Sequence, residues 1–417
     1  MASTRWALVC LGLSACGTTI ANSPPDRPPP LGHVEAVRHF DDALKELAAR
    51  DRDNDWTAEA CERLAGDFTH IALSTQGRAQ DSAWFNVGVS RQRCSQDAAA
   101  EKAFRRSSSN RAQAELVLYR HAAGASLDAT IADLERVIRK GEYRNLRALV
   151  ALAALQMKRG ASGDAREAMS NLQRALAIDD TYVPAANQLA LYYLHQAQPA
   201  PARGLVLSAE ERPAARRQQM DLAALVVSQA MKKNDRYAPL HNTAGLVAMA
   251  QGDYGAAARS FDAARKLDPR FFEAHMNYAA TSFAIRGFAR AEQAYRAAVK
   301  LSPGDYDAHL GLALALRAQA TVKDRARLTE ARAELARARQ IDPARPEAYY
   351  NEAVLVEEFE AKGAPGKRAI PVLRKAQKLY REFGERADAR VLGSAVKRAQ
   401  ERSADIDATI SFLEQGQ

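Results

Sequence analysis

Three histidines, His241, His275 and His309, recur at intervals of 34 residues, and metal ligation is the chemistry such a ladder would do. One zinc ion needs its ligands about 2.0–2.1 Å away, whereas equivalent positions on stacked helices lie about 10 Å apart. The ladder therefore reads as three packing histidines. The run Lys362-Gly363-Ala364-Pro365-Gly366-Lys367 has the residue types of a phosphate-binding loop. No strand pattern precedes it, and neither the glycine spacing nor a following Ser or Thr fits a loop whose amides cradle phosphates. No HExxH or GxSxG motif occurs, nor a strand–turn–helix pattern to seat one. The residues thus point to no catalytic group, no metal, no cofactor and no small-molecule substrate.

Two cysteines have a definite structural expectation. Cys61 lies near the start of a helical stretch at about 56–75, and Cys94 near the end of the next, at about 81–94. If these stretches form an antiparallel hairpin turning near Gly77, both thiols reach the same end of it, close enough to bridge. The alternative is a pair of buried free thiols.

The elements that carry these residues repeat. Residues 238–271 align with 272–305 at an offset of 34: Ala244-Gly245 on Tyr278-Ala279, Tyr254 on Phe288, Ala257 on Ala291, Phe261 on Tyr295, Ala264 on Ala298, Leu267 on Leu301 and Pro269 on Pro303. Small residues stand where two helices must approach closely, and large ones fill the space between them. Gly252-Asp253 supplies a turn, and proline after the second helix stops it. The period resembles the tetratricopeptide repeat (TPR). That resemblance implies an all-α, TPR-like α-solenoid, a right-handed superhelix of antiparallel helix pairs. Eight units are expected across 81–380. The clearest are 81–110, 238–271, 272–305, 306–345 and 346–380, and 111–142, 143–182 and 183–236 are weaker. A long insertion at 196–220 interrupts the array and is a candidate docking segment. Helices at 33–80 and 381–417 are expected to cap the two ends.

The resemblance also implies a concave groove lined by the first helix of each unit. The positions that fall there are Asn86, then Asn242, Leu246 and Met249, then Met276, Asn277 and Phe283. Further along come Leu310, Leu314 and Arg317, and finally Tyr350, Asn351 and Val354. Asparagines can hydrogen-bond an extended peptide, and the Met, Leu and Phe side chains suit an amphipathic helix. The basic pattern of the subgroup that clamps chain termini is absent. The occupant of this groove is either a partner protein or the chain's own C-terminal helix.

The N-terminus sets the expected compartment. A short basic start at 1–5 precedes an apolar run at 6–13, too short for the roughly 20 residues that span a bilayer. It ends in Leu13-Ser14-Ala15-Cys16, which resembles the lipobox of bacterial lipoproteins. The resemblance implies a signal peptide at 1–15, a lipidated Cys16 and an outer-membrane anchor facing the periplasm, since Gly17 rather than Asp follows. The alternative is an ordinary signal peptide with an incidental cysteine. Residues 17–32 hold five prolines and read as an extended tether. The chain has 59 Lys+Arg against 50 Asp+Glu, a formal charge of +9 over 417 residues. The charge is spread without a basic block, so nucleic acid is not an expected partner. Lipobox, tether, cysteine hairpin and repeats together resemble the tetratricopeptide outer-membrane lipoproteins of the myxobacterial gliding-motility apparatus. This implies a scaffold that binds other envelope proteins. Pilotin-like assembly factors for a secretin and adaptors of peptidoglycan hydrolases are the alternatives.

Overall fold

A computed structural model describes residues 30–53, 55–198, 211–321 and 324–415. Cys16, the signal segment and nearly all of the tether lie outside the described residues, as does 199–210, the middle of the insertion. The described chain is a TPR-like α-solenoid. α1 (His33–Asp53) precedes a hairpin of α2 (Ala58–Ser74) and α3 (Gly77–Arg93). The pairs that follow are α3 with α4 (Asp97–Phe104), α5 (Asn110–Ala122) with α6 (Leu127–Lys140), and α7 (Leu146–Arg159) with α8 (Asp164–Ile178). Next come α9 (Val183–Gln196) with α10 (Glu211–Lys233), α11 (Ala238–Ala250) with α12 (Tyr254–Leu267), α13 (Phe272–Ala284) with α14 (Phe288–Leu301), and α15 (Tyr306–Gln319) with α16 (Arg325–Ile341). The last unit joins α17 (Glu347–Leu355) to α18 (Ala369–Arg386), and α19 (Ala389–Gln415) ends the described chain.

Local chemistry explains the boundaries. Asp253, Asp305 and Asp324 cap their helices by accepting the amide of the residue three positions on, which satisfies one of the four free donors at a helix start. At the other end, Asp268, Ser302 and Asp342 each precede a proline and take extended backbone, with φ of −131°, −135° and −140°, as the proline ring requires. Inside each pair the small-to-large fit is tight. A Cβ on Gly245 would come within 2.5 Å of the fully buried Phe261 ring, Gly88 stands in the same relation to Phe104, and Gly311 meets Tyr295 of the preceding pair just as closely.

Each helix packs on its sequence neighbours, and the first helices also pack on one another: α5 on α7, α7 on α9, α9 on α11, and so on to α15 on α17. From α5 to α17 the odd-numbered helices therefore form one continuous inner face, and their partners form the outside. The last unit departs from the others. Its first helix runs into a π-helical stretch at Val356–Ala361, and the extra residues before α18 turn through Gly366–Arg368. The glycine-rich run that resembled a phosphate loop is this turn. α18 extends to Arg386, past the expected boundary at 380, because Leu379, Tyr380 and Phe383 continue its buried stripe against α17 and α19. Among the described residues no helix is long and apolar enough to cross a membrane.

Candidate functional site

The inner face in the C-terminal half is built from α11, α13, α15 and α17. Asn277 donates from Nδ2 to Oδ1 of Asn242 at 2.9 Å, so the two asparagines form a rung between neighbouring first helices. Around it Leu246, Met276, Phe283 and Leu310 are half-buried against the core, and Leu314 is half-buried one turn further along α15. Met249 remains 38% exposed, and its sulfur accepts the Thr281 hydroxyl at 3.6 Å. The Phe283 ring is set edge-on to Phe288, with centroids 5.2 Å apart.

The far end of the same face is occupied by the chain itself. Arg317 donates from Nη1 to the Asn351 carbonyl at 3.0 Å, and burial lowers its pKa. The Tyr350 ring meets Tyr380 and Phe383 at 5.7 and 5.1 Å. Asn351 donates to the Glu347 carbonyl at 2.8 Å, and Val354 packs at the edge of a cluster that includes Ala399, Ile406 and Ile410 of α19. Arg402 of α19 donates to Glu357 at 2.8 Å and pairs with Glu358. Tyr380 donates to the same Glu357 at 2.7 Å, and burial with the carboxylate beside it pushes the phenol's pKa up. The C-terminal helix thus seals the last unit. Residues 242–314 and residues 317–354 share a face but do not share an environment.

The histidine ladder has a role that packing alone did not suggest. The Nε2 atoms of His241, His275 and His309 bond the carbonyls of Asp235, Pro269 and Pro303, six residues earlier, at 2.5, 3.0 and 3.1 Å. In the next unit Tyr349 donates its hydroxyl to the Pro343 carbonyl at 3.1 Å, again six residues earlier. A carbonyl accepts only, so each ring nitrogen must donate. The position is a clasp on the loop between units, and a tyrosine serves it as well as a histidine. Three donors six residues after Asp235 or a helix-stopping proline were visible as a pattern; their acceptors were not. Among the described residues no group of three or more His, Cys, Asp or Glu is placed to hold a metal.

The N-terminal half has a different interior. Cys61 and Cys94 form a disulfide that ties α2 to the end of α3, with Cα atoms 6.4 Å apart. Asn86 lies on α3, far from the Asn242–Asn277 rung in sequence, and is buried. Near these helices charge is gathered at the inner face. Arg93 pairs with Asp51, from Nε to Oδ1 at 2.6 Å, and Arg147 pairs with the buried Glu115. Tyr237 stands close to them, and burial pushes its pKa up to about 12. The curl brings distant segments together: Arg236 reaches Asp53 at 3.2 Å, and Arg270 donates to Ser95. Sequence reasoning missed these groups, since a buried Glu paired with a distant Arg leaves no local spacing to read.

No family model matches this chain, and no curated protein matches it. Solved structures resemble it in part. A thermophilic TPR protein of Thermus thermophilus is 25% identical and covers 50% of this chain and 100% of its own, with a TM-score of 0.42. PilF of Pseudomonas aeruginosa is 19% identical over 58% of this chain and 95% of its own, with a TM-score of 0.39. A tetratricopeptide repeat protein of Parabacteroides merdae is 14% identical over 69% of this chain and 99% of its own, with a TM-score of 0.38. Each overlays only part of the chain, so the solenoid assignment rests on the helix packing described above.

Proposed function

We propose that the protein is a non-catalytic scaffold that holds partner proteins of a cell-envelope assembly, with the open stretch of its inner face as the docking groove. The observation that carries this reading is the contrast between the two ends of that face. From Asn242 to Leu314 it offers half-buried Leu, Met and Phe side chains beside an asparagine rung, whereas from Arg317 to Val354 the chain covers itself. A partner helix would lay its apolar side on the Met, Leu and Phe residues. Methionine tolerates imperfect fit because its side chain is unbranched and polarizable.

In this reading Cys16 carries the lipid that anchors the array at the outer membrane, facing the periplasm, with 17–32 as spacer. A disulfide between Cys61 and Cys94 is compatible with such an oxidising compartment. Gliding motility is the assembly we favour, on the resemblance of the lipobox, tether, cysteine hairpin and repeats taken together.

The test combines anchor and partner. Cys16→Ser is expected to move the protein from the membrane fraction to the soluble periplasm with loss of the lipid mass. Capture from crosslinked envelopes is expected to recover motility proteins. Recovery of a secretin or of peptidoglycan hydrolases instead would replace gliding with pilotin-like assembly or hydrolase adaptation. A Cys16→Ser protein that stays membrane-bound at unchanged mass would contradict the anchor.

A further inference from the structure

Antiparallel pairing and the stacking of first helices line up the turns inside successive pairs along one edge of the array, about 10 Å apart. In the C-terminal half that edge carries exposed apolar side chains and unpaired positive charge together. Met249 lies in the last turn of α11, Tyr254 begins α12 and Ile285 follows α13, and they are 38%, 47% and 40% exposed. The bond from the Thr281 hydroxyl to the Met249 sulfur joins the ends of α11 and α13, so these side chains fall on neighbouring turns. Arg259, Arg286 and Arg290 stand among them, all exposed. The Arg290 guanidinium folds over the turn before α14, 2.9 Å from where a Cβ on Gly287 would stand. None of these arginines pairs with a carboxylate among the described residues, whereas Arg147, Arg159, Arg296, Arg345 and Arg402 all do.

Two features set this charge apart from ordinary surface polarity. In the N-terminal half the second helices begin with acid: Asp97 in α4, Asp128 in α6, Asp164 and Glu167 in α8, as the positive end of a helix favours. The first turns of α12, α14 and α16 hold no acid, and the basic run continues with Arg325 at the start of α16 and Lys367 and Arg368 before α18. The edge therefore changes sign along the array. The second feature is the backbone of Arg286. The turns after α11 and α13 close with the same pair of bonds, the Gly252 amide on Met249 and the Asp253 amide on Ala248, then the Arg286 amide on Phe283 and the Gly287 amide on Ser282. Gly252 takes φ of 84° there, and Arg286 takes 61°, a left-handed conformation that glycine enters freely and a side chain enters at a cost. An arginine thus occupies glycine's place and holds its charge out in solvent. Strain of this kind points to a use outside the fold.

We propose that this edge docks an acidic segment of a partner protein, with carboxylates against Arg259, Arg286 and Arg290 and an apolar side chain seated on Met249, Tyr254 and Ile285. Charge complementarity sets the sign of the partner. The exposed apolar side chains select a protein segment over a purely ionic ligand. The edge runs outside the concave face and meets the groove only at Met249. The proposal rests on the scaffold reading and adds to it the chemistry of the partner, a segment that is acidic where it leaves the groove.

The test is titration of the full chain at low salt with three acetylated and amidated decapeptides. The first carries four Glu around a Leu-Phe pair; the second has Gln for each Glu; the third has Ser for Leu and Phe. The first is expected to bind at least about tenfold tighter than the second, as three exposed charge pairs of roughly threefold each supply, and salt is expected to shrink that advantage. The third is expected to bind more weakly than the first. Arg286→Gly is expected to weaken the first peptide about threefold while keeping or raising the melting temperature, because glycine relieves the strain. Arg290→Gln, at an exposed position, is expected to weaken it as much. Equal affinity for the first two peptides, or no binding of the first at millimolar concentration, would overturn the proposal. A first peptide weakened by Leu310→Ala but not by Arg286→Gly would lie in the groove, which overturns the edge and leaves the scaffold reading standing. Equal affinity for all three peptides with tight binding to phosphatidylglycerol vesicles would overturn it in favour of a lipid surface. Self-association that Arg286→Gly abolishes, without peptide binding, would overturn it in favour of a second copy. Peptide binding as expected, with no partner captured from intact envelopes, would contradict the groove and not the edge.

Discussion

At the scale of single residues, the turn between α7 and α8 shows how a repeat fixes its own corner. Gly160 and Gly163 take φ of 65° and 93°, a region that glycine enters without steric cost. Asp164 then holds the turn. Its carboxylate accepts Nε of Arg159 at 2.9 Å and the Ala161 amide at 2.8 Å, and a second guanidinium bond at 2.5 Å completes a fork. The guanidinium holds the Asp164 carboxyl below the usual carboxylate range. A group whose folded pKa lies below its unfolded value contributes stability above the unfolded value, about 3.9, and loses that contribution as pH falls through the folded one. Asp164→Asn is therefore expected to cost about 1–3 kcal/mol at pH 7, with the deficit shrinking towards pH 3. Urea unfolding of both proteins at the two pH values checks this; a deficit that does not change with pH would contradict it.

At the scale of elements, the disulfide is the one covalent tie between helices among the described residues. Cys61 is fully buried on α2, and Cys94 follows the last turn of α3. The bridge closes a loop across a sequence separation of 33, which in the chain-entropy account contributes about 3–4 kcal/mol. A solenoid unit stabilises only itself and its neighbours. Reduction is therefore expected to loosen α1 to α4 and to leave α11 to α16 as they were. Amide hydrogen exchange with and without reductant measures this directly, and equal loss of protection in both halves would contradict it. This hairpin was legible in the sequence because both cysteines sit at the same distance from one turn. The helix pairs were legible because Gly245, Phe261, Ala264 and Pro269 recur 34 residues on as Ala279, Tyr295, Ala298 and Pro303, and each packs within its own unit or the next. The fate of Tyr350 and Val354 was not legible. They carry groove spacing, yet the helices that pack on them, α18 and α19, lie past the end of the period.

At the scale of the whole molecule, the inner face is one continuous surface divided into three environments. In the N-terminal half the face curls until Arg236 meets Asp53. Both side chains of that pair are about half-exposed, 52% and 48%, so the pair contributes roughly 0–1 kcal/mol, and helix packing rather than the ion pair sets the curl. At the C-terminus α19 closes the last unit through Arg402, Ile406 and Ile410. Between them lies the stretch from Asn242 to Leu314, and that it takes a partner is the central proposal. Site-specific photocrosslinking in intact envelopes tests it most directly, with the photoreactive residue placed in turn at Met249 in the groove and at Val391 on α19, both exposed. The account predicts one partner captured from Met249 and not from Val391. Capture of the same partner from Val391 alone, with Met249 silent, would contradict it.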